Sequence, residues 1–186
     1  MNTLTQEQLN GIWNYYLSLE KDMSNTSRYV EPSGQENVYS FEFAKILILT
    51  CTEVESVFKI LCSKIQPKTK ANDISAYRKI ILKKYPNIIK AETNIDRLNK
   101  IIIPFSNWNS RKLSWWRAYQ NVKHDRGNFF LKATYLNAVT ALSALYILIF
   151  YLSKETNIKF DNYKSEYISS EYADPYLLCS PEKTVP

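Results

Sequence analysis

Residues 133–153 constrain this chain more than any other feature, because twenty-one consecutive positions carry no charge. A run of that length folds as a helix enclosed by protein or as a span of a bilayer, whose hydrocarbon core needs about 20 apolar residues. Tyr135, Asn137, Thr140, Ser143 and Tyr146 place polar groups inside the run, and no other segment is comparably apolar. Ala133, Asn137, Ala141 and Ala144 share one face, which suits close helix packing. We therefore read the run as the central helix of a bundle rather than a membrane span, and the remaining chain must supply the helices that enclose it.

Several segments have the required periodicity. Residues 5–23 place Leu9, Ile12, Trp13, Tyr16 and Leu19 at helical spacing behind Thr5, a suitable N-cap. Residues 39–65 carry the stripe Phe43, Leu47, Cys51, Val54, Phe58 and Leu61 and stop before Pro67. A shorter basic helix is expected over 74–85, ended by Pro86, and another over 110–123, with an interruption near Gly127 before the long helix, expected over 128–153. The loop around Pro32, Ser33 and Gly34 separates the first two helices. Residues 95–108, with their IIIP run, fit either a short strand pair or an irregular crossover. From residue 156 the chain turns rich in Tyr, Ser and Asp, with Pro175, Pro181 and Pro186, and reads as an extended tail.

The expected architecture is thus all-α, an up-and-down bundle of four to five helices over residues 1–155 with an extended C-terminal tail over 156–186. A chain of 186 residues fits one such domain. Only 3 Gly and 7 Pro are present, too few for a turn-rich sandwich, barrel or propeller, and no phosphate-cradling glycine motif occurs. The 26 aromatic residues can fill a large core.

Cysteine usage points to a reducing compartment. The three thiols are Cys51, Cys62 and Cys179, with no C-x-x-C pair, and Cys51 and Cys62 lie about 16 Å apart on one helix, too far to bridge. The N-terminus shows no basic start followed by an apolar run, so a cytoplasmic location is expected.

Charge is distributed unevenly along the chain. Residues 1–58 hold 3 basic and 8 acidic groups, 59–132 hold 17 and 4, and 133–186 hold 4 and 6, so the net charges are −5, +13 and −2. A middle third at +13 suits a polyanion, whose phosphates release counterions when neutralised. The alternative is a solvated surface, since 18 of the 24 basic residues are Lys.

His124 is the only histidine, which excludes zinc sites of the paired-histidine or finger kind by count; neither a metal nor a cofactor is expected. It ends the helical part of the segment SWWRAYQNVKHDRGN. Arg117 and His124 are seven residues apart and differ by about 20° around a helix, with Asn121 between them, while Trp115, Tyr119 and Val122 occupy the opposite face. The helix anchors itself with aromatics and presents a polar line of Arg117, Asn121 and His124, flanked by Lys123 and Arg126. Arg78, Lys79, Lys83 and Lys84 on the preceding basic helix are further candidates for phosphate contacts.

Arg117-AYQNVK-His124, the two amphipathic helices before it and the apolar helix after it resemble the HEPN superfamily of all-helical RNases, over roughly residues 5–153. That family's motif is an Arg followed by His after four to six residues, on a helix of a four- or five-helix bundle. The residue after the Arg is usually polar in the family and is Ala118 here. The resemblance implies an RNA-binding protein and metal-independent endoribonuclease of a bacterial defence or toxin–antitoxin system. It implies a homodimer that brings two Arg and two His into one cleft, with Asn121 orienting phosphate or imidazole and an antitoxin or other defence protein as a possible partner. The chemistry suits the residues. Imidazole exchanges protons near neutral pH, and a permanently charged guanidinium holds a phosphate and stabilises the charge that builds on it. The competing reading is a non-catalytic helical module that uses the same basic face to bind a nucleic acid, a nucleotide or a protein.

Overall fold

A computed structural model describes residues 4–159 and 165–170. Among them six helices and a three-stranded antiparallel sheet are present, so the expectation of an all-α chain is corrected by a small sheet.

Helix α1 runs Gln6–Thr26 and begins in a capping box. The Gln8 backbone N–H donates to the Thr5 hydroxyl at 3.2 Å, and the Gln8 side chain accepts from the Thr5 N–H at 3.0 Å. Leu9, Trp13, Tyr16, Leu19 and Met23 form its buried stripe. Helix α2, Phe41–Ile65, is capped by the Ser40 hydroxyl, which accepts from the Phe43 N–H at 3.0 Å. All six members of its expected stripe are buried. Helix α3, Ile74–Lys84, has Asp73 as its N-cap and ends before Pro86.

The segment left open between strands and crossover is a strand pair. Strand β1, Thr93–Ile95, turns through Asp96–Leu98 and Asn99, whose left-handed φ of 47° is one that asparagine tolerates, into β2, Lys100–Ile102. Thr93 faces Ile102 and Ile95 faces Lys100. The third strand comes from the tail: β3, Ile168–Ser169, pairs with the other edge of β1, which places β1 at the centre. Three-residue strands alternate too briefly to reveal themselves in a sequence, and β3 lies more than seventy residues from its partner. The tail beyond residue 170, with Cys179 and its three prolines, lies outside the described residues.

Helix α4 spans Ser114–His124, and helix α5, Arg126–Phe129, follows after Asp125. A single 3-10 turn at Phe130–Lys132 leads to helix α6, Tyr135–Thr156, which begins seven residues later than the periodicity suggests. The reason is tertiary. The first-turn N–H groups of Tyr135 and Leu136 donate to the carbonyls of Val38 and Glu36 at 2.9 and 3.0 Å, so the loop between α1 and α2 fixes where α6 can start. Thr134 completes the cap through the Asn137 N–H at 3.2 Å.

Helix α6 is the central helix. Every residue from 141 to 153 is buried, and α6 packs along α2 with α1 and α4 on its other sides. Among the described residues it is the one helix long and apolar enough to cross a membrane, and most of its surface is covered by protein.

The described part of the tail is held by a buried carboxylate. Glu20 on α1 accepts from the backbone N–H groups of Glu166, Tyr167 and Ile168 at 3.1–3.2 Å and from the Tyr16 hydroxyl at 2.9 Å. The Ser165 hydroxyl also donates to it. A carboxylate can be buried without a cation when donors occupy its lone pairs in this way. Tyr135 on α6 hydrogen-bonds Tyr167, and Ser170 donates to the Glu92 carbonyl, so the segment is joined to α1, α6 and the sheet edge.

Candidate functional site

Helix α4 is fastened on one side by its aromatics. The Trp115 indole donates to the Pro104 carbonyl at 2.8 Å, and Trp116 packs edge-on against Phe58 and Tyr119. Trp115, Trp116, Ala118, Tyr119 and Val122 are buried, so the opposite face must look outward. Arg117 and His124 are exposed and Asn121 is half-buried, and about 10 Å of helix axis separates the first from the last. Ala118 is turned into the body, where no side chain could reach a substrate.

The flanking cations are partly engaged. The Lys123 ammonium donates to the Tyr119 hydroxyl at 3.1 Å, which raises its pKa, and Arg126 lies over the Phe41 ring at 5.8 Å. On α3, Lys79 and Lys83 are exposed on the outward face, while Lys84 turns towards the end of α6, 3.9 Å from Glu155. The expected basic residues therefore divide between different surfaces.

Arg117 and Arg78 do meet. Between α3 and the start of α4 lies a cleft of about 470 Å³, and three of the six arginines, Arg78, Arg111 and Arg117, line it together with Lys112. Its apolar wall is formed by Ile74, Trp108, Leu113 and Trp116. No ion pair or hydrogen bond is made by any of the three guanidiniums within the described residues. Two carboxylates share the lining, and both are occupied: Glu55 pairs with Lys59 at 2.8 Å, and Asp73 caps the Ser75 and Ala76 N–H groups of α3.

His124 does not line this cleft. The structure brings Arg117 to the cleft at the start of α4 and leaves His124 at the last turn, outside it. An aromatic surface is formed by the segment that follows α4: Phe41, 70% exposed, and Tyr39, 45%, pack on Phe130, whose ring lies 4.6 Å from that of Phe41 and 5.3 Å from that of Tyr39, and the next residue, Leu131, is 62% exposed.

Arg111, Lys112 and Tyr77 went unread in the sequence. The signal for the first two is their place immediately before α4, where cations on the approach to a helix N-terminus oppose the macrodipole. The buried Tyr77 hydroxyl has no hydrogen-bond partner within the described residues, and burial together with Glu55 pushes its pKa up to about 12, so it remains a donor. Cys51 and Cys62 are buried, and burial raises both thiols, Cys62 to about 12; neither is a nucleophile for His124 to activate.

Comparison of the chain with protein-family models, with curated proteins and with solved structures finds no match.

Proposed function

We propose that the protein is an HEPN-like RNA-binding protein and metal-independent endoribonuclease, of the kind that serves bacterial defence or toxin–antitoxin systems. The observation that carries the reading is the line of Arg117, Asn121 and His124 on the open face of α4, held outward by the buried aromatics behind it. Arg117 holds the scissile phosphate, and His124 exchanges protons with the ribose 2′ oxygen and the leaving 5′ oxygen. One imidazole cannot act as base and acid in the same step, so the active unit is a homodimer. The aromatic patch of Tyr39, Phe41 and Leu131 is the face on which the second copy sits, because it is exposed and apolar and is built partly from the turn that follows α4 and α5.

The test is incubation of the protein with RNA in EDTA. Fragments ending in a 2′,3′-cyclic phosphate are expected, from attack by the neighbouring 2′ oxygen. RNA that is bound and never cut favours the binding-module reading, which draws on the convergence of Arg117 with Arg78 and Arg111 away from His124.

The dimer face is tested by Phe41→Glu combined with Leu131→Glu. Both side chains are exposed, so the fold is expected to survive while sedimentation changes from dimer to monomer and cleavage falls with it. The role of α3 in holding phosphates is tested by Lys79→Glu with Lys83→Glu. Affinity for single-stranded RNA is expected to fall across sequences, and the slope of log K against log salt to flatten by about 0.7 for each phosphate that is no longer neutralised. An unchanged slope would make this face of α3 a solvated surface.

A further inference from the structure

We infer that the cleft between α3 and the start of α4 is a binding pocket for a phosphomonoester, either the phosphorylated end of a nucleic-acid strand or a free mononucleotide. It rests on the RNA reading only in sharing Arg117 and Arg78 with it.

Two independent observations point to an anionic ligand. Arg78, Arg111 and Arg117 converge on one concavity without partners among the described residues, a placement whose mutual repulsion a bound anion would relieve. The first turn of α4 opens at the same place, and Leu113 at its N-cap offers no side-chain acceptor, so the turn's N–H groups are available to an oxyanion.

Charge and shape narrow the ligand. Four cations and two carboxylates line the cleft, an excess of two positive charges that a phosphomonoester dianion neutralises and an internal phosphodiester only halves. The floor is closed, with Tyr77, Trp108 and Leu113 each 5% exposed or less, which suits a phosphorylated end entering the cleft. The volume of about 470 Å³ and the wall of Ile74, Leu113 and Trp116 suit one nucleotide, with its base against the apolar side and its phosphate among the arginines.

Titration calorimetry with the full chain tests this. The probes are AMP, adenosine, and a hexadeoxynucleotide bearing a 5′-phosphate, a 3′-phosphate or hydroxyls at both ends, which lacks the 2′ oxygen and cannot be cut. AMP is expected to bind at least about tenfold more tightly than adenosine, the difference expected of charge-assisted hydrogen bonds. A phosphorylated end that binds tighter than a hydroxyl end identifies the strand terminus as the ligand, whereas a preference for AMP with indifferent ends identifies the free mononucleotide. Arg78→Gln with Arg111→Gln should remove the preference while the protein stays folded by circular dichroism. Tyr77→Phe should leave AMP affinity unchanged and thermal stability equal or higher, because it deletes an unsatisfied group buried beneath the cleft. His124→Ala should retain the preference in full, so failure of the cleavage reading leaves this result untouched. Equal binding of AMP and adenosine together with indifferent ends, or a preference that survives the double arginine variant, overturns the proposal.

Discussion

His124→Ala is expected to abolish RNA cleavage while leaving RNA affinity within about twofold. A positioned acid or base contributes typically about 10²–10⁴-fold. In a homodimer the substitution removes both proton-transfer groups at once, so the loss should reach or exceed the upper end of that range. The proposed imidazoles act on the reacting oxygens and leave the phosphate to the cations, which is why binding should persist. Arg117→Ala should lower both, because the guanidinium touches the bound phosphate as well as the transition state. Arg117→Lys should recover only part, since an ammonium has no planar fork to match two phosphate oxygens. Mixing an excess of His124→Ala chains with wild type tests the dimer directly: the mixed dimer keeps one imidazole where the reaction needs two, so wild-type cleavage should be suppressed. Wild-type cleavage by His124→Ala would remove the assignment of α4 as the catalytic helix.

The largest effect on stability is expected at Glu20. Its carboxylate accepts from three backbone N–H groups of residues 166–168 and from the hydroxyls of Tyr16 and Ser165, all of them buried except the part-buried Glu166 amide. Glu20→Ala leaves the Glu166 and Tyr167 N–H groups without an acceptor, while Tyr16, Ser165 and the Ile168 N–H keep only contacts among themselves and with the Ile168 carbonyl; each unmade bond costs about 1–3 kcal/mol, so a total loss of about 3 kcal/mol is expected. That corresponds to a fall in Tm of roughly 6–12 °C for a chain of this size. Glu20→Gln keeps the shape and one acceptor oxygen and should lose less. Hydrogen exchange locates the damage: the amides of 166–168 should lose protection before those of α6. A Glu20→Ala variant that melts with the wild type would mean that the tail is not held by this carboxylate.

Much of the fold was legible because helix signals are local. Thr5 and Gln8, or Ser40 and Phe43, are three residues apart, and the stripe from Phe43 to Leu61 repeats at helical spacing, so each could be read without knowing what lay opposite. The exposed line of Arg117, Asn121 and His124 was legible for the same reason: buried aromatics on one face of a helix leave the other face outward. Glu20 was within reach too. It lies seven residues after Trp13 and so on the same face of α1, and a carboxylate on an apolar stripe signals a partner even when the partner cannot be named.

The sequence alone determined where the main helices lie, that the uncharged run supplies the enclosed helix, and which side of α4 meets solvent, because all three follow from spacings of three, four and seven residues along a chain of known pitch. Tertiary structure alone decided the rest. The third strand exists because a two-residue segment at Ile168–Ser169 finds β1 and is held there by Glu20, about 150 positions upstream. The start of α6 is set by carbonyls of the loop that holds Glu36 and Val38. Arg78, Arg111 and Arg117 share a cleft only because α3 and α4 both pack against α2, and His124 is kept from that cleft by the length of its own helix. Pairings across such separations have no spacing rule along the chain, so they appear only once the elements are brought together.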